Sequence, residues 1–302
     1  MSEYFIGRQP IFDASMNLFA YELLFRDNNG GGIGSIDGGA ATLQVISNTV
    51  SEIGLSNLVG QHFAFVNLTR HFLLHPELIL FPPERTVLEI LEDIEVDDAV
   101  IEGVANLRRR GFTIALDDFV PNPKLQPLID LADIIKLEIP LLDAPTRKET
   151  VERLREQGKR ILAEKVETVE EYEELKTLGF DYYQGYFFAK PKILSGKKLP
   201  SNRLALVELA TKVHQPDIEI DELHRLVSTD VALSVKALRF ANSAANGLRA
   251  PVDNLRQAIT FLGTSTLKNW VSVLVMSDID GKPTELLTMA LTRARLCELM
   301  AA

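Results

Sequence analysis

The sequence predicts a mixed α/β protein: a β/α barrel over residues 1 to about 195, followed by an all-helical domain over residues 200–302. Three observations carry this reading. Short apolar runs alternate with amphipathic helices through the first 190 residues, the strand signal vanishes after residue 200, and nearly every apolar run delivers a charged or amide side chain near its C-terminal end. Repeated strand–helix units build a parallel sheet, and seven or eight of them in this length favour closure into a barrel over an open sheet.

The strands are expected, in order, at residues 18–24, 63–68, 86–91, 112–116, 134–137, 160–163 and 182–188. Several are apolar on both faces, as strands buried between a core and a helix layer must be. Between them, Val100, Val104 and Leu107 form a helical stripe that stops at Gly111, and a helix over 146–157 is closed by Gly158. Thr168 and Glu171 make a capping box ahead of Tyr172, Leu175 and Leu178, with Gly179 as the terminator. Residues 190–200, rich in Pro, Gly and Lys, read as a linker. Beyond it, helices are expected from the stripes Leu206, Leu209, Ala210 and Val213, then Val231, Val235 and Leu238. Two more follow, Leu255, Ala258, Ile259 and Leu262, then Leu267, Trp270, Val271 and Leu274. Residues 30–34, four glycines around Ile33, read as a flexible loop without the Lys of a phosphate loop.

The chain is 46% hydrophobic and 25% charged, the composition of a soluble globular protein. Its longest apolar runs, such as 271–276, are too short to cross a bilayer, and the N-terminus carries no basic segment leading an apolar one. One cysteine, Cys297, makes no internal disulfide and fits a reducing cytoplasm. A net charge of −10 argues against nucleic-acid binding, which needs a basic face. The single dense basic cluster, Arg108-Arg109-Arg110, falls in the last turn of a helix, where cations complement the dipole.

The chemistry lies in polar residues set inside or just after apolar runs: Glu22, Asn67, Glu89, Asp117, Asp118, Lys136, Glu164 and Gln184. A buried unpaired carboxylate is costly, so each needs a cation or a hydrogen-bond partner. Taken singly, each reads as a satisfied polar residue at a strand end. As a series, on a barrel whose strands all end on one face, they read as oxygen ligands converging on a hard cation, Mg²⁺ or Mn²⁺. The adjacent Asp117 and Asp118 suit a two-ion site for phosphodiester hydrolysis.

In these residues the first domain resembles the EAL-domain cyclic-di-GMP phosphodiesterases. Gln9-Pro10-Ile11 with Tyr21-Glu22-Leu23-Leu24-Phe25-Arg26 resembles the opening strand pair and the Glu-Ala-Leu motif with its trailing Arg. Asn67-Leu68-Thr69, Glu89-Ile90-Leu91-Glu92, Asp117-Asp118-Phe119, Ile135-Lys136-Leu137, Ala163-Glu164-Lys165-Val166-Glu167-Thr168 and Gln184-Gly185-Tyr186 follow in the family's order. The resemblance implies a (β/α)8, TIM-like barrel that binds and hydrolyses cyclic di-GMP. Glu22, Asn67, Glu89 and Asp117 would hold one ion, and Asp117, Asp118 and Glu164 a second. Lys136 would position the attacking water, with Glu164 and Glu167 as catalytic neighbours. Gln184 would support that network on the substrate side, Arg26 would contact a substrate phosphate, and Glu92 would anchor the loop after Asp118.

The sequence departs from the family pattern at three places. Leu23 replaces Ala and is expected to add bulk beside Glu22; Lys165 replaces Gly and is expected to compete with a metal for Glu164. Phe119 is followed by Val120-Pro121-Asn122-Pro123 in place of a Gly-Thr-Gly-Tyr loop, which exchanges glycine freedom for two fixed φ angles. Members pair through that loop, which leaves a homodimer open. The second domain resembles the all-α HDOD domain, carried by residues 231–238, Ala241-Asn242-Ser243-Ala244 and 258–263. His214 and His224 form no His-Asp dyad and read as solvated helix residues, so the domain is expected to be non-catalytic and to bind a protein partner. Proteins of this kind extend further, so the helix beginning at 296–302 is expected to continue. Three functions stay open: a metal-dependent phosphodiesterase, a degenerate barrel acting as ligand sensor, and an interaction scaffold.

Overall fold

Each of seven short strands is separated from the next by a crossover, and they run parallel as a result. The computed structural model describes residues 3–25, 42, 45–188, 192–197, 203–215, 218–243, 246 and 251–277. Its strands are β1 (Glu3–Asp13), β2 (Leu18–Phe25), β3 (Phe63–Leu68), β4 (Thr86–Ile90), β5 (Thr113–Leu116), β6 (Ile134–Glu138), β7 (Arg160–Glu164), β8 (Tyr182–Tyr183) and β9 (Lys192–Lys197). β2 to β8 pair in sequence, and β1 bonds both β2 and β8, closing an eight-stranded barrel. β1 runs antiparallel because only a tight turn joins it to β2; Asp13 Oδ1 accepts the N–H groups of Ser15 and Asn17 there.

The expected helices form where the punctuation placed them. The helix Asp98–Arg109 is capped by Asp97 and buries Val100, Val104 and Leu107. Ala144–Glu156 is capped by Asp143, and Val169–Leu178 carries both hydrogen bonds of the Thr168–Glu171 capping box. The Arg cluster is structural: Arg108 pairs with Asp133, Arg109 with Glu102, and Arg110 donates to the carbonyls of Pro76 and Ile79.

Three expectations are corrected. Residues 192–197 are strand, bonded to Glu3–Arg8 of β1, because a partner nearly 190 residues away supplies order that local Pro, Gly and Lys content hides. The strand expected at 182–188 ends at Tyr183; the chain turns at Gly185, where Val166 N–H donates to the Gln184 carbonyl and Phe187 N–H to that of Val166. In the helix Val231–Ala241 the buried face is Ala232, Leu233, Lys236, Ala237 and Phe240 rather than Val231, Val235 and Leu238. The cause is its start: Asp230 caps the helix, and Val231 at its first position is 80% exposed. Arg26, the 30–34 loop, Ala244, Cys297 and the 296–302 segment lie outside the described residues.

Inside the barrel, Ile11, Ala20, Phe65, Val87, Ala115, Ile134, Leu162 and Tyr182 form a closed apolar layer, one from each of β1 to β8. The helical domain, Arg203–Val213, Ile220–Ser228, Val231–Ala241 and Leu255–Ser277, the last being two helices in line broken at non-helical Gly263, packs around Trp270 stacked on Phe240. The helix Val231–Ala241 also packs on a π-helical segment, Asn48–Ile53, in the connection between β2 and β3, and the buried hydroxyl of Ser47 donates to that of Ser277. Among the described residues no helix is long and apolar enough to cross a membrane.

Candidate metal centre at the barrel mouth

Strand side chains alternate between faces, so the residue two positions after an inward apolar residue also points inward, one layer nearer the strand's end. Applied to the apolar layer, that rule gives Glu22 after Ala20, Asn67 after Phe65, Glu89 after Val87 and Asp117 after Ala115. It gives Lys136 after Ile134, Glu164 after Leu162 and Gln184 after Tyr182. The polar ring is the second layer of the barrel, at the mouth where the parallel strands end. On antiparallel β1 the equivalent position is Gln9, paired in register with Glu22.

Lys136 is the centre of the ring. Fully buried, its Nζ lies 2.5 Å from Glu89 Oε1, 2.6 Å from Asp117 Oδ1 and 3.1 Å from Glu164 Oε1. Burial alone would favour its neutral form, but the carboxylates of Asp117, Glu164, Glu22 and Glu89 outweigh it and hold the ammonium charged well above the ordinary lysine range. Gln184, also buried, donates from Nε2 to Glu22 Oε2 at 2.5 Å, and Asn67 Nδ2 approaches Glu22 Oε1 at 3.5 Å. Thr42 Oγ1 donates to the Asn67 carbonyl.

The ring holds more negative charge than Lys136 can balance. Burial pushes Glu89 well above the carboxylate range despite Lys136. Glu164 is pushed up to about 8 by burial, and Asp117, Glu22 and Asp118 add to the shift against the pull of Lys136. Asp118 is raised for the same reasons, burial first and then Asp117, Glu138 and Glu92. Carboxylate oxygens of Asp117, Asp118 and Glu164 all lie within 4.8 Å of one another. Asn67 Oδ1, Gln184 Oε1 and Glu164 Oε2 are buried oxygens without a hydrogen-bond partner among the described residues. Lone pairs left unbonded beside surplus negative charge are what a hard divalent cation satisfies, so the residues fit such an ion.

Two expected site residues stand outside this cluster. Glu167 is exposed, and its backbone N–H donates to Glu171 Oε2 within the capping box. Glu92 is exposed in the turn after β4 and makes no hydrogen bond to the loop after Asp118 among the described residues; that loop is held by Phe119, buried, whose N–H donates to the Lys136 carbonyl. The departures from the family pattern also fall differently than expected. Leu23 points away from the mouth into the core between barrel and helices, as its place next to inward Glu22 requires. Lys165 pairs with Glu138 Oε2 at 2.5 Å, not with Glu164. Glu138 itself was missed in the sequence; it is the inward position two residues past Lys136.

Fold and site together define a β/α barrel with an acidic crown of the divalent-cation type. Residues 9–191 match the model of the EAL domain and residues 199–301 that of the HDOD domain. The cyclic di-GMP phosphodiesterase CdgJ of Vibrio cholerae is 34% identical over 301 residues, 98% of this chain and 70% of the relative. YuxH of Bacillus subtilis is 33% identical over 306 residues, 98% of this chain and 75% of its own. The chain therefore belongs to the EAL family, in the form that carries an HDOD domain. BlrP1 of Klebsiella pneumoniae, solved as a manganese and cyclic-di-GMP complex, shares the fold with a TM-score of 0.54 at 23% identity. The match covers 64% of this chain and 56% of BlrP1, so this chain spans little more than half of that one. An EAL domain protein of Listeria monocytogenes gives a TM-score of 0.50 at 21% identity, covering 63% of this chain and 88% of that one.

Proposed function

We propose that the barrel hydrolyses cyclic di-GMP to the linear dinucleotide in a divalent-metal-dependent reaction, and that the helical domain is a non-catalytic regulatory or partner-binding module. The observation that carries this is the convergence of Glu22, Asn67, Glu89, Asp117, Asp118 and Glu164 on one mouth around Lys136. Glu22, Asn67, Glu89 and Asp117 would hold one ion, and Asp117, Asp118 and Glu164 a second, Mg²⁺ or Mn²⁺. Such ions, when bound, activate water and neutralise the phosphodiester in a displacement at phosphorus.

The chain's own residues prepare the site. Gln184 fixes the rotamer of Glu22, and Lys136, held protonated by its carboxylate neighbours, acts as a hydrogen-bond donor and a fixed charge rather than as a base. Arg26 is assigned to a substrate phosphate and Glu167 to the outer network. The helical domain is assigned its non-catalytic role by its likeness to HDOD, and His214 there is exposed. The single cysteine supports a cytoplasmic setting.

A sensor without turnover is the second reading, favoured by the loop after Phe119. There Asn122 accepts from Lys124 N–H and Pro123 opens a 3₁₀ turn, a fixed conformation beside Asp118. Purified protein with Mn²⁺ and cyclic di-GMP, assayed for binding and for linear product, separates the two. Product that is lost in Glu22→Ala is expected; saturable binding without product would replace the enzyme by the sensor, and no binding would remove both.

A further inference from the structure

Lys165 follows the metal ligand Glu164 at the end of β7, and strand alternation would send its side chain outward, away from the mouth. Its backbone instead adopts φ +57°, a left-handed conformation that non-glycine residues occupy at a cost of order 1–3 kcal/mol. The consequence is a change of aim. The ammonium meets Glu138 Oε2 at 2.5 Å, and Glu138 is an inward residue of β6 in register with Glu164 on the neighbouring strand. The carboxylates of Asp118 and Glu164 are near enough to act on the same ammonium. A strained backbone has therefore turned a lysine toward the mouth, beside the acidic cluster.

The pair it makes is a weak restraint. The Lys165 side chain is 57% exposed although Glu138 is only 12% exposed, so water screens the ammonium end of the pair and the lysine can reach an anion at the mouth without leaving solvent. Lys136, by contrast, is fully buried with its ammonium already against Glu89, Asp117 and Glu164, so it is the less accessible of the two for a substrate phosphate. Lys165 is thus the exposed cation of the described mouth that lies next to the metal-type carboxylates. A compact ammonium on a flexible four-carbon stem suits a phosphate oxygen as a point charge.

Resting on the proposed function, we infer that Lys165 is a phosphate-binding residue, exchanging Glu138 for a non-bridging phosphodiester oxygen of the substrate and so setting its affinity.

The test compares the full chain with Lys165→Met, Lys165→Gly and Lys165→Arg, measuring kcat and KM for cyclic di-GMP in Mn²⁺ together with thermal melting. Lys165→Met is expected to raise KM about tenfold with kcat within about threefold, and Lys165→Arg to keep KM within about threefold. Lys165→Gly should show the same rise in KM while melting no lower than wild type, because glycine accepts φ +57° without strain. Lower stability with KM unchanged in Met and Gly variants would overturn the inference in favour of a structural role. Bis(p-nitrophenyl) phosphate, a phosphodiester without a base, separates this inference from the reading it rests on. Wild type inert to cyclic di-GMP but hydrolysing that compound with a Lys165-dependent KM would remove the cyclic-di-GMP reading and support the phosphate contact. Activity on neither substrate would overturn both.

Discussion

Replacing Lys136 by Met keeps the length and volume of the side chain and removes the one charge that stabilises the ring. Glu89, Asp117 and Glu164 each lose a contact of 2.5 to 3.1 Å to Nζ, at a position with no exposure to water. Removing one partner from a buried ion pair costs about 3–5 kcal/mol, because the opposite charge stays buried and uncompensated. For a domain of this size each kcal/mol moves Tm by roughly 2–4 °C, so the metal-free variant should melt on the order of 6–20 °C lower. The loss should depend on pH in a defined direction. Lys136 is charged throughout the neutral range, whereas Glu164 gains a proton below about 8, so the variant recovers part of its stability as pH falls and its carboxylates neutralise. Mn²⁺ should stabilise the variant more than the wild type, since it supplies the missing positive charge. Thermal melts in EDTA and in Mn²⁺, at pH 6 and pH 8.5, measure all three effects. A variant within 1 kcal/mol of wild type in EDTA at pH 8.5 would refute the argument, for it would mean the ring carries little charge to compensate.

Two further outcomes come from the same geometry. In the wild-type protein, Glu164 is pushed from 4.5 up to about 8, so its native form binds a proton more tightly than the unfolded chain does. Its contribution to metal-free stability is complete below about pH 4.5 and lost as pH rises to about 8, while Mn²⁺, which needs the ionised carboxylate, should stabilise increasingly over that range. His71, whose pKa burial lowers, works in the opposite sense near pH 6.5, but it cancels in the difference between EDTA and Mn²⁺ melts; a difference independent of pH would contradict the prediction. At Gly185 an added Cβ would lie 2.1 Å from the Val166 carbonyl oxygen and 2.4 Å from its nitrogen, both backbone atoms. Gly185→Ala should therefore cost about 1–3 kcal/mol and displace Gln184 from Glu22, weakening Mn²⁺ binding; calorimetry giving wild-type affinity and an unchanged Tm would count against it.

The sequence made the ring legible because its signal is local. A charged or amide residue set two positions past an apolar inward residue breaks the apolar run of its own strand, and the same break recurs at Glu22, Asn67, Glu89, Asp117, Lys136, Glu164 and Gln184. Features that depend on distant partners or on backbone sign were not legible in this way. β9 owes its order to β1, at the other end of the barrel sequence. Glu167 and Glu92 entered by resemblance alone, and loop positions inherit a role only when the loop around them keeps its conformation. Here Phe119 pins that loop to Lys136, and Pro121 and Pro123 stiffen the residues beyond it. Lys165 is the sharpest case. A lysine in place of glycine reads in the sequence as a rival for Glu164, yet its left-handed φ directs the ammonium to Glu138. Lys165 therefore adds a charge beside Glu164 without engaging it, which makes the residue a modification of the mouth rather than a loss of the site.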